Sequence, residues 1–95
     1  MDIAKADIVI STAGRDRGGW FFVVSAENGY ALIADGKSRK IEVPKRKKLK
    51  HVRRVTRTET QVARKLKSGD MVLNSELRRD LARICHEFNS QNQGG

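Results

Sequence analysis

Hydrophobic residues follow two different rhythms along the chain. In the first half they fall in short β-branched or aromatic runs separated by glycine-bearing turns. Residues 7–12 (Asp-Ile-Val-Ile-Ser-Thr) form one such run. The loop after it holds Gly14, Gly18 and Gly19 together with Arg15, Asp16 and Arg17, a composition suited to positive backbone angles. Residues 20–24 (Trp-Phe-Phe-Val-Val) predict a strand apolar on both faces. Asn28-Gly29 is a hairpin signal, residues 30–34 (Tyr-Ala-Leu-Ile-Ala) predict the next strand, and Asp35-Gly36 the next turn. Residues 39–43 (Arg-Lys-Ile-Glu-Val) alternate polar and apolar, as a half-exposed strand should, and Pro44 stops it. A fifth short strand is expected within residues 49–55. Five short strands in so few residues predict a small, strongly curled five-stranded β-barrel rather than a flat sheet.

The second half changes period. Thr58-Glu59-Thr60-Gln61 reads as a capping box with Thr58 as the N-cap. Val62, Ala63 and Leu66 then give one apolar stripe, and Gly69 is the expected stop. A second helix is expected after Asn74 or Ser75, with Leu77, Leu81, Ile84 and Phe88 on one face. Glu76 near its start and Arg83 further along agree in sign with the helix dipole. The expected organisation is therefore a barrel over residues 1–57, a helical appendage over 58–89 and a disordered tail over 90–95. Phe21 and Phe22 must point to opposite faces of their strand, one into the barrel and one beneath the helices.

Composition narrows the class. At 95 residues, with 38% hydrophobic residues, there is material for one core. A single Cys and a single Pro exclude a disulfide framework and collagen-like or mucin-like repeats. No apolar run approaches a membrane span, and the acids Asp2 and Asp7 break the order of a signal peptide. A reducing, cytoplasmic setting is the expectation.

Charge changes the picture more. The net charge is +9, but residues 37–57 hold eleven basic residues against Glu42 alone, a local +10. The rest of the chain is close to neutral. Such a concentrated field attracts polyanions. Pro44 and the sparse apolar residues of this stretch argue against a membrane-surface helix, so nucleic acid is the favoured partner. A solvated basic face or a targeting run is the competing reading.

A strand, a loop Gly14-Arg-Asp-Arg-Gly18 and a hydrophobic strand over residues 7–24 resemble the KOW motif of ribosomal and transcription-elongation proteins. Gly18 matches the hallmark glycine. Tyr30 to Gly36, a basic strand, and residues 48–52 (Lys-Leu-Lys-His-Val) extend the likeness to the KOW branch of archaeal and eukaryotic large-subunit ribosomal proteins and their small bacterial relatives. The resemblance covers residues 5–56. It implies an SH3-like barrel that binds ribosomal or other structured RNA, with ribosomal proteins as further partners. The helical part departs from the plain motif.

On the residues themselves, two loop tips carry Arg15 with Arg17, and Lys37 with Arg39 and Lys40. A twisted barrel would bring them towards Lys45, Arg46, Lys47, Lys48 and Lys50, with Arg53 and Arg54 following. Arginine forks onto phosphate oxygens and lysine acts as a mobile point charge. Asp16 is expected to hold its two neighbouring arginines in position. Trp20, beside the glycine loop, is the best candidate for stacking, with core or rim packing as the alternative. Exposed rings are otherwise few, which favours backbone and shape recognition over base readout.

Enzymatic readings lack parts. One Cys and two His cannot make a Cys/His zinc site, and Cys85 and His86 point about 100° apart on a helix. The glycine loop lacks the Gly-Lys-Ser/Thr ending of a P-loop. Asp35 and Asp70 have no partners visible in the sequence. No cofactor, metal, membrane or small-molecule substrate is expected. The second functional reading is a protein-interaction module of the transcription or translation machinery that uses the Leu77/Leu81/Ile84/Phe88 stripe.

Overall fold

The computed structural model describes residues 3–92. Five strands, β1 (Ile8–Ser11), β2 (Trp20–Glu27), β3 (Tyr30–Ala34), β4 (Lys45–Lys48) and β5 (Val52–Thr56), make one antiparallel sheet in the order β4-β3-β2-β1-β5. A single 3-10 turn, Leu49–His51, joins β4 to β5. Two helices follow, α1 (Gln61–Ser68) and α2 (Asn74–Asn92). The ladder is open, with β4 and β5 as its edges.

The sheet is nevertheless strongly curled. Four interstrand steps of about 4.8 Å would place the edges of a flat sheet roughly 19 Å apart. The three-residue 3-10 turn between them advances only about 6 Å. Two register shifts assist the bend. One lies between Ile8 and Val9 against β5, the other between Val23 and Ser25 against β3. Each inserts one extra residue, Val55 and Val24 respectively, and extra residues of this kind increase local twist.

Alternation along β2 divides the core in two, as expected for a strand apolar on both sides. Phe21 and Val23 join Val9, Ala31, Ile33 and Val52 on the concave face, with Ile3 packed among them. Phe22 joins Ile8 and Ala34 on the opposite face, where α1 contributes Val62, Ala63 and Leu66, and α2 contributes Leu77, Leu81 and Ile84. The concave cluster has no helical layer and is covered by the curl of the sheet itself.

The helices are therefore built into the fold. Leu77 is fully buried, and Leu81 and Ile84 nearly so, so three of the four stripe residues considered as a partner contact are occupied within the chain, while Phe88 stays exposed. The start of α2 is fixed by the β3–β4 connection. Ile41 N–H donates to Asn74 Oδ1 at 2.8 Å, Asn74 Nδ2 donates to Glu42 Oε1 at 2.8 Å, and Arg78 donates to the Gly36 carbonyl at 2.6 Å. Gly36 has φ +78°, and a Cβ there would collide with the Asn74 carbonyl.

Four local expectations are corrected. Residues 39–43 are not a strand. Asp35 Oδ1 takes the amides of Lys37 and Arg39 at 2.9 and 2.8 Å, and Asn74 takes that of Ile41, so side chains capture the groups a ladder would need. The fourth strand is instead Lys45–Lys48, and the expected 49–55 strand starts only at Val52. The N-cap of α1 is Thr60, whose Oγ1 accepts from Ala63 N at 3.2 Å, while Thr58 accepts from Thr60 N. The tail is helical through Asn92, and the rest of the expected disordered stretch, residues 93–95, lies outside the described residues. Among the described residues, no helix is long and apolar enough to cross a membrane.

Candidate nucleic-acid interface

The loop between β1 and β2 is closed by its own backbone. Ser11 N donates to the Gly19 carbonyl at 3.0 Å, Gly18 N to that of Ser11 at 2.8 Å, and Gly19 N to that of Asp16 at 2.9 Å. Gly14 at φ +76° and Gly18 at +87° make the reversal possible. Gly18 has open space where a Cβ would sit, so its requirement is the backbone angle alone.

At the centre of this loop, Asp16 faces inward. Arg39 from the β3–β4 connection forks onto it, Nε to Oδ1 at 3.1 Å and Nη2 to Oδ2 at 3.0 Å. This hydrogen bonding holds the Arg39 pKa above its ordinary value. Lys47 of β4 approaches the same carboxylate at 3.9 Å and donates to the Ala13 carbonyl at 2.8 Å. The Asp16 carboxylate is 8% exposed and the Lys47 side chain 10%. The expectation that Asp16 positions Arg15 and Arg17 is thus corrected. It binds cations remote in sequence, and its two neighbours project outward.

This clasp joins three segments, as the sequence led one to expect of the loop tips. It draws the Arg15/Arg17 loop, the Lys37–Lys40 connection and β4 together. Arg15, Arg17, Lys37, Lys40, Lys45, Arg46, Lys48 and Lys50 are exposed, whereas Arg39 and Lys47 are half-buried in the clasp. Strand alternation divides the β4 cations between faces. Lys45 and Lys47 pair with the concave-facing Ile33 and Ala31; Arg46 and Lys48 pair with Leu32 and Tyr30. The Arg46 guanidinium lies 3.7 Å from the centroid of the Tyr30 ring, a stacked position that leaves its N–H edge outward.

Arg53 and Arg54 stand exposed on β5, the opposite edge, opposite Ile10 and Val9 of β1. The 3-10 turn makes them continuous in the chain with Lys48 and Lys50. A second clasp secures the far end of β5, where Arg57 Nε meets the buried Asp7 carboxylate at 2.9 Å.

Trp20 resolves partly towards packing. It is half-buried and meets Phe88 edge-on, with centroids 5.4 Å apart and planes at 72°. Sequence reasoning missed Phe88 as its neighbour, although the last position of the α2 stripe was a signal for it. Asp35 and Asp70 have structural partners, the Asp35 turn and the Ser68 hydroxyl at 2.9 Å. Cys85 is half-buried and His86 exposed. Among the described residues, no group of three or more His, Cys, Asp or Glu side chains is arranged to hold a metal ion. No protein-family model and no curated protein matches this chain.

Proposed function

We propose that the protein is a non-catalytic RNA-binding module of the cytoplasm, an SH3-like barrel of the KOW kind that docks on ribosomal or other structured RNA. The observation that carries this reading is the Asp16 clasp. It ties together two loops and an edge strand that carry exposed cations, on both faces of that strand, while satisfying the two cations that lie inside it. Surfaces of fixed cations with few exposed rings engage phosphates and shape more than base identity. Ribosomal proteins are the natural neighbours of such a module.

The test is a titration of structured RNA at several salt concentrations. With six to eight cations on phosphates, log K falls against log salt with a slope of roughly −4 to −7. A slope near zero removes the electrostatic account. Equal-salt competition by duplex DNA separates RNA from DNA as the partner, and the proposal requires RNA to win.

A further inference from the structure

Across three adjacent strands, register aligns Trp20 of β2, Ile10 of β1 and Arg53 of β5 in one row on the helix-side face. Ile8, two residues before Ile10, is fully buried there, but Ile10 is only half-covered. The helical layer therefore covers this end of the sheet only in part. What remains is a hollow of about 480 Å3, with Ile10 and Val55 as floor, Trp20 and Phe88 as aromatic walls, and Arg53 and Arg54 at the rim. That volume lies within the range of about 300–1,000 Å3 typical of small-ligand cavities.

The lining has the chemistry of a nucleotide. The T-shaped pair covers a single ring face, and both rings still border the hollow. A flat, apolar, polarisable group fits there. Arg53 stands at the rim, about two interstrand steps from Trp20, or roughly 10 Å, which is within the reach of an arginine towards a phosphate flanking an inserted base. Among the described residues, no carboxylate lines the hollow. A second hollow on the other side of Trp20 includes Asp35 beside Lys37 and Arg78, and that carboxylate disfavours a phosphate.

Resting on the RNA-binding reading, we infer that this hollow receives one unpaired base of the bound RNA, stacked on one of the two rings with its edge towards the other, and with Arg53 on a flanking phosphate. Docking would then combine backbone contacts over the clasped surface with a single extruded nucleotide.

Trp20 is the only tryptophan in the chain and borders both hollows, so its fluorescence is read together with a variant at Phe88, which lines this hollow and not the second. The probes are one RNA hairpin carrying a single unpaired nucleotide and the same hairpin fully paired, each end-labelled for anisotropy. The expected result is about tenfold tighter binding of the bulged hairpin, with Trp20 quenched by it and not by the paired form. The Phe88→Leu variant keeps apolar packing but removes a wall, and should bring the preference close to unity without weakening the paired hairpin. Equal binding of both hairpins with unchanged Trp20 emission overturns the inference while leaving the RNA-binding reading intact. Salt-independent binding, or none, overturns both.

Discussion

Between Lys37 and Pro44 the chain has no ladder, and its path is set by side chains from elsewhere. Asp35 collects two amides, Asn74 a third, and Asp16 holds Arg39. Between Lys45 and Arg57 the backbone is held by β3 and β1, and Lys45, Arg46, Lys48, Lys50 and Arg53 stand exposed. The two stretches look alike by charge. Within each stretch the cations differ in whether a carboxylate stands within reach, as it does for Arg39, Lys47 and Arg57. Where one does, a cation becomes part of the scaffold; where none does, it contributes field to the surface. Lys47 shows the rule inside a single strand, since its neighbours Lys45, Arg46 and Lys48 are exposed while it reaches Ala13 and Asp16.

The contrast can be broken most severely by reversing the surface set alone. Changing Lys45, Arg46, Lys48 and Lys50 to Glu, with Lys47 kept, should abolish RNA association while thermal unfolding stays within a few degrees of the parent. A matched change of Lys47 and Arg39 should instead lower Tm, and equal behaviour of the two sets in both assays would erase the distinction.

Next in size is the seating of the connection on α2. Gly36→Val combines a positive φ with a collision against Asn74, and should cost about 3 kcal/mol or more in denaturant unfolding. Wild-type stability in that variant would mean that the connection is not anchored there.

Asp16→Asn removes the charge that holds Arg39 and Lys47. A buried charged partner lost in this way costs roughly 1–3 kcal/mol. A double-mutant cycle with Arg39→Gln should show that the two losses do not add, because the same contact is removed twice.

The smallest effect is a pH dependence. Hydrogen bonding from Asn74 holds Glu42 below its ordinary value of 4.5. Its contribution is complete above that value and is lost as pH falls through the lowered folded pKa. Acid titration of Tm should therefore show a slightly weaker decline in Glu42→Gln than in the parent, and an identical slope would assign the acid sensitivity elsewhere.

Much of the sheet was legible because its strands carry their own apolar pattern. Residues 8–11, 20–27 and 30–34 bury side chains on one or both faces, and Asn28-Gly29 sits at the expected hairpin. The β4 strand was not legible. Its four residues are all cationic, so nothing local marks them as extended, and their conformation comes from pairing with β3. Residues 39–43 had the right alternation and the wrong surroundings. In the candidate site the cations were visible as a run, but the division of labour among them was not. Asp16 meets Arg39 across 23 positions, and separation of that kind leaves no trace in a local pattern. The lone acid between two arginines reads as a clamp on those neighbours, and nothing in the local pattern points to Arg39.

The order of the strands also has a consequence for how the chain assembles. β1 is flanked by β2 and by β5, and Ile8 pairs with Thr56. The first three strands are joined by one tight turn and one short local loop and should pair quickly, whereas the β1–β5 ladder waits for a distant closure. During synthesis from the N-terminus, the earliest strand is thus the one whose second edge is satisfied last. Until Thr56 has emerged, an unpaired β-branched edge stands open to other chains.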